Sequence, residues 1–224
     1  MQDSTSSSAF PCVCAARSPR SARAAPATGA TVCPWVERCP RAAVATLVRM
    51  TATGQVRLPD LDDDDLMAWV TRHGVAARLV APGVPTPTVP EAAAALGVRP
   101  EQVLKSLVFL VAGEPRLVIA AGEDRVRYPA LAAAWGVGRR QLRMATPEEA
   151  QALSGYAVGG MPPFGHREPL QTLVDARRIV SGLRVYAGGG TRSALLELET
   201  DELLRVTGAR SEPLTDDPDG GDPA

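Results

Sequence analysis

The stretch from Leu104 to Ala120 does most to limit how this chain can fold. Two apolar, β-branched runs, Leu104–Val111 and Arg116–Ala120, are separated only by Ala112-Gly113-Glu114-Pro115. Short apolar runs bounded by turn residues read as strands. So short a connection makes them antiparallel, because a parallel crossover needs a dozen residues or more. A purely parallel sheet cannot contain such a hairpin.

The first of these strands carries the only lysine. Of 24 basic residues the other 23 are arginine, in a chain whose Ala/Arg/Gly/Pro-heavy composition suggests a coding bias against lysine. A lysine that survives that bias marks a place where a broad guanidinium fork does not serve and a slim point charge does. Strand alternation puts Lys105 on the face of Leu107, Phe109 and Val111, the face expected to be buried. A charge at the start of an apolar face either snorkels to water or points into a polar site. Ser106 faces the other way, so a Ser–Lys dyad has poor geometry.

The rest of the body is punctuated by helix and strand signals. Five aspartates between Asp60 and Asp65 precede Leu66, Met67, Trp69 and Val70, with Gly74 beyond. Acids in a first turn, an apolar stripe and a glycine stop predict a helix, not a metal site. Val75–Val80 reads as a strand. Thr88-Val89-Pro90-Glu91 is a capping box that opens a helix ending at Gly97, and Thr146-Pro147-Glu148-Glu149 opens another ending near Gly155. Tyr128–Trp135 is a helix stopped by Gly136. Leu170–Val174, Leu183–Ala187 and Ala194–Leu198 read as strands, and Thr200 caps a final helix to about Val206. Irregular interleaving with hairpins predicts an α/β (α+β) domain on a mixed sheet.

The ends differ. Residues 1–49 are rich in Ser, Ala, Pro and Arg without periodicity, which predicts disorder; Met50 is the expected natural start, with a transit-like peptide as the competing reading. All four cysteines lie there, in spacing unlike a zinc site. Residues 211–224 are acidic and Pro/Gly-rich, again predicting disorder. The domain therefore spans 50–210.

Charge and motifs exclude several functions. Residues 1–49 carry a balance of +4 and residues 50–224 one of −5, which sum to the net −1. An acidic body argues against generic DNA binding, and no apolar run approaches a membrane span. The two histidines lack metal-ligand spacing. No G-x-S-x-G elbow or Walker lysine motif occurs. What remains is Lys105 with two backbone-rich loops, Gly159-Gly160-Met161-Pro162-Pro163-Phe164-Gly165 and Gly188-Gly189-Gly190-Thr191-Arg192-Ser193. Glycines there are either tight connections or backbone cradles for a ligand oxygen.

Several stretches in order carry a resemblance: Leu96-Gly97 through Lys105-Ser106-Leu107-Val108, then Gly155 to Gly165, Leu173-Val174-Asp175, and Tyr186 to Arg192. Over roughly residues 65–210 the chain resembles the YbaK/ProX-like aminoacyl-tRNA deacylases and the editing insertion of bacterial prolyl-tRNA synthetases. The resemblance implies a curved, largely antiparallel sheet surrounded by helices. It implies a cytoplasmic trans-editing hydrolase acting on mischarged tRNA, typically prolyl tRNA carrying Cys or Ala, with prolyl-tRNA synthetase as a partner and no cofactor, metal, membrane or DNA. Lys105, Gly159 and Gly160 match the catalytic positions. Thr88, Met161, Pro162, Pro163, Phe164 and Gly165 fall at substrate-binding ones, as do Asp175, Gly189, Gly190 and Arg192. Thr191 stands where the family often has lysine, and Asp175 has an alternative role in capping its turn. A non-catalytic module binding tRNA ends or a synthetase, and an amino-acid sensor, are the competing functions.

Overall fold

The structure, a computed structural model, describes residues 49–50, 56–57 and 60–216. The expectations for residues 1–48, with all four cysteines, and for 217–224 lie outside the described residues. Arg49–Met50 (β1) pairs antiparallel with Val56–Arg57 (β2).

Helix boundaries follow local chemistry. Helix α1, Asp63–Arg72, begins where the Asp62 carboxylate accepts the Asp64 and Asp65 N–H groups while Asp65 returns the bond to Asp62 N–H. The aspartate run is thus a helix start, each acid facing the positive end of the helix dipole. His73, stacked on Trp69 at 4.0 Å, forms the C-cap in place of the expected Gly74. Thr88 with Glu91 caps α2, Val89–Leu96, and Thr146 with Glu149 caps α4, Pro147–Ser154. Helix α3, Tyr128–Trp135, stops at Gly136 in the left-handed region. Helix α5 spans Thr200–Thr207.

The described strands form two further sheets. Five run in the order β10 (Arg210–Glu212), β7 (Gln171–Asp175), β5 (Glu114–Ala121), β4 (Leu104–Val111) and β6 (Leu142–Met144). Three run in the order β3 (Ala77–Val80), β9 (Leu195–Glu199) and β8 (Arg184–Gly188), all antiparallel. A bridge between Val103 and Tyr186 links the two. The β4–β5 hairpin turns on Ala112 and Gly113, both at positive φ, 51° and 91°. Two such residues make the turn whose twist matches the strands, so Glu114 and Pro115 belong to the second strand rather than to the turn. Strand β5 runs parallel to β7, and β7 parallel to β10, which makes the sheet mixed.

Both faces of this sheet are covered. On one, Leu104, Val108, Leu117 and Ile119 pack with Tyr156, Met161 and Leu196. On the other, Phe109, Val111 and Val118 pack with Leu131, Leu142 and Leu173. The face of Lys105 is buried as alternation predicts, but so is the opposite one, which explains why Leu107–Val111 is continuously apolar.

For residues 211–216 the expectation of disorder is corrected. Arg210–Glu212 extends the sheet, and Leu214 and Thr215 are each 0% exposed. Acidic, proline-rich composition does not report the long-range partner that orders this segment. None of the described helices is long and apolar enough to cross a membrane.

Candidate active site

The start of β4, the loop into α2 and the glycine loop after α4 meet around a cleft of about 250 Å3. Lys105, Thr88, Gly159, Met161 and Gly188 all contribute to its lining, with Val89, Ala92, Leu107 and Leu195 as apolar wall. Strand β6 pairs only with Phe109–Val111, so the Leu104–Leu107 edge of β4 is left unpaired on that side. That open edge gives the cleft its place.

Lys105 does not wave in solvent. Its amine donates to the Asp124 carbonyl, and Asp124 is paired with Arg178 at 2.9 Å. Burial lowers the lysine pKa, while Asp124, Glu123 and Asp175 oppose that shift. An ammonium has three donors, and one is engaged here, which holds the head in place and leaves two for a ligand. Lys105 also lines a second cavity of about 350 Å3, with Glu123, Tyr128 and Met144, so it stands in the wall between two spaces.

The glycine loops divide into residues that face the cleft and residues that join the loops. Gly159, at φ +93°, lines the cleft, and no acceptor among the described residues meets its N–H. Gly160 does not offer an amide: its N–H donates to the Ala157 carbonyl at 3.1 Å, and its own carbonyl accepts Gly190 N–H at 2.8 Å. A Cβ on Gly160 would lie 2.5 Å from the Thr191 carbonyl carbon. Its catalytic assignment is therefore corrected to close packing of one loop on the other. Gly189 donates to the Ala194 carbonyl at 3.0 Å, so Gly189 and Gly190 likewise spend their amides inside the fold. The cleft residue of that loop is Gly188, where a Cβ would fall 2.3 Å from the Met161 oxygen. Sequence reasoning missed it because nothing local distinguishes one glycine of a run from the next.

The remaining expected site residues separate in the same way. Thr88 lines the cleft while capping α2, its hydroxyl donating to Glu91 at 2.6 Å. Met161 lines the cleft, but the chain then turns into the core. The Pro162 carbonyl accepts from His166 Nε2 at 3.0 Å; Pro163, Phe164 and Gly165 border a separate cavity of about 130 Å3 beside Trp69. Phe164 stacks on Trp69 at 5.1 Å. These four are support rather than cleft lining. Arg192 is exposed; its Nε donates to the Val158 carbonyl at 3.1 Å and its carbonyl accepts Thr86 N–H at 2.7 Å. It ties the loops that carry Gly159 and Thr86 and does not line the cleft. Asp175 is 0% exposed and accepts from Leu214 N–H at 2.8 Å and the Thr215 hydroxyl at 2.7 Å. Both carboxylate oxygens are engaged, so its substrate assignment is corrected to a latch on the C-terminal segment.

Known proteins are similar to this chain in sequence and fold. A solved structure described as a candidate trans-editing enzyme for prolyl tRNA synthetase superposes with a TM-score of 0.62 at 34% identity, covering 69% of this chain and 97% of that one. YwhH of Bacillus subtilis, an uncharacterized protein, is 30% identical over 119 residues, 52% of this chain and 72% of its own length. The proline–tRNA ligase of Limosilactobacillus fermentum is 36% identical over 93 residues, 39% of this chain and only 16% of the ligase. This chain thus matches a small part of that ligase. Residues 84–206, more than half of the sequence, match the aminoacyl-tRNA editing domain, and the protein belongs to that family.

Proposed function

We propose that this protein is a trans-editing aminoacyl-tRNA deacylase that hydrolyses the ester of mischarged tRNA, with tRNA-Pro carrying Ala or Cys as its substrate. One observation carries this reading: a held lysine and a glycine amide with no acceptor among the described residues line the same small cleft. At about 250 Å3, the cleft falls just below the ~300–1,000 Å3 of pockets that enclose a whole small-molecule ligand. It suits an aminoacyl group with the nucleotide left outside, and its apolar wall suits a small side chain. A synthetase pocket separates residues differing by a methylene-sized group by only ~1–3 kcal/mol, which makes a second hydrolytic site useful.

An aminoacyl ester is already activated, so orientation and charge stabilisation suffice for its attack by water. In this reading Gly159 N–H and the free donors of Lys105 receive the oxyanion that develops as water adds to the carbonyl carbon. The ester C–O bond then breaks, and the proton reaches the departing ribose oxygen. Prolyl-tRNA synthetase is the proposed partner and the cytoplasm the proposed location.

The test is release of labelled amino acid from tRNAs charged with Ala, Cys, Ser or Thr, with Lys105→Ala as control. The acidic body and Thr191 favour a second reading, a non-catalytic module. Retention of charged tRNA without release of amino acid would support it and overturn the deacylase.

A further inference from the structure

The cleft has a cation in its lining, but among the described residues that form it there is no carboxylate. An aminoacyl ester carries an α-ammonium, and burying that charge without a partner is costly. The group needs a neutral oxygen. Three hydroxyl-bearing residues contribute to the cleft lining, Thr86, Thr88 and Ser106. Thr86 donates to the Arg192 carbonyl at 3.4 Å and Thr88 to Glu91 at 2.6 Å. Ser106 Oγ exposes less than 1 Å2 and has no hydrogen-bond partner among the described residues.

Ser106 also occupies the right face. Leu104 and Val108, two residues to either side, pack into the cluster that contains Met161 and Ala187. Alternation along β4 therefore turns Ser106 toward the glycine loops and Lys105 toward Asp124. An unsatisfied buried hydroxyl is a standing cost that a ligand can relieve. Turning it into the cleft is a rotation between staggered χ1 positions that breaks no existing bond.

We infer, on the basis of the aminoacyl-ester substrate proposed above, that Ser106 Oγ receives the substrate α-ammonium and makes the cleft selective for α-amino over α-hydroxy acyl groups. Ser106 then sets which way the acyl group lies in the cleft that Lys105 and Gly159 also line.

The experiment uses two stable amide-linked analogues on the same RNA minihelix, one ending in 3′-alanylamino-adenosine and one in 3′-lactylamino-adenosine. Binding is measured with the full chain, as wild type, Ser106→Ala and Ser106→Thr. Wild type is expected to bind the amine form about tenfold more tightly; Ser106→Ala should lose that preference, and Ser106→Thr should keep it. Equal binding of the two by wild type, or a preference that survives in Ser106→Ala, overturns the inference. Thermal unfolding provides an independent check, because a hydroxyl with no partner can be removed without loss of stability. A clear loss in Ser106→Ala would show an internal structural role instead. Hydrolysis of the corresponding alanyl ester is followed in parallel. Its absence sinks the deacylase reading, whereas the amine preference reports on Ser106 alone.

Discussion

Replacing Asp175 by alanine separates a structural from a substrate role for the most deeply buried carboxylate near Lys105. Its two oxygens accept Leu214 N–H at 2.8 Å and the Thr215 hydroxyl at 2.7 Å, all within fully buried residues. Hydrogen bonds to a charged group contribute ~1.5–3 kcal/mol each, and orphaned buried donors add to the loss. Removing both should cost at least roughly 3–6 kcal/mol. For a domain of this size that lowers Tm by roughly 6–24 °C. Thermal and urea unfolding of the full chain measure it. Thr215→Val should cost less, and the double variant should fall short of the sum by about 1 kcal/mol, since the two residues share a bond. Deacylation well below the new Tm should change little. An Asp175→Ala protein that keeps wild-type stability but loses deacylation a hundredfold would refute the latch and restore Asp175 to the substrate.

Three further outcomes follow from the geometry. Lys105→Ala should lower single-turnover deacylation at least a hundredfold, in line with the ~3–4 kcal/mol typical of an oxyanion donor; Lys105→Arg should not rescue it, because the amine already abuts the Asp124 carbonyl. Either variant within threefold of wild type removes the lysine from the mechanism. Burial pushes the His166 pKa down to about 4, below the ~6.5 of an unfolded histidine. The unfolded chain thus binds more protons between these values, so stability is full above pH ~6.5 and falls by roughly 2–3 kcal/mol toward pH 4. His166→Gln should flatten that part of a urea-unfolding pH series, and an unchanged slope would count against the assignment. Gly188→Ala, with a Cβ 2.3 Å from the Met161 oxygen, should cost at least ~1–3 kcal/mol by overpacking and lower deacylation with it. A variant as stable and active as wild type would show that the loops need not approach so closely.

At three helix ends, where the information lies within three or four residues, the sequence reading matches the structure. The expected cap at Thr200 does not, because that residue lies inside α5 and its hydroxyl bonds Val180 and Leu183 instead. Thr88 with Glu91, Thr146 with Glu149, and Gly136 after Trp135 set helix ends because each cap satisfies backbone groups one turn away. The short β6, Leu142–Met144, and β10, Arg210–Glu212, escaped notice, being only three residues long. Their strand character comes from a partner strand and not from any periodicity of their own. The site was half legible in the same sense. Lys105, Thr88, Gly159 and Met161 do meet at one cleft. Gly160, Gly189 and Gly190 looked equivalent to Gly159, and only their hydrogen bonds to Ala157, Ala194 and Gly160 reveal that their amides are already used.

From its order of residues alone this chain determined the caps that open α2 and α4, its Ala112–Gly113 hairpin and the alternation that sends Lys105 and Ser106 to opposite faces. All of these are satisfied by near neighbours. The tertiary structure decided the parallel docking of Gln171–Asp175 beside Glu114–Ala121, the capture of Leu214 and Thr215 by Asp175, and the Ser106 hydroxyl left without a partner among the described residues. Each of these depends on groups dozens of residues apart competing for the same donors and acceptors, and that competition is settled only when the core closes.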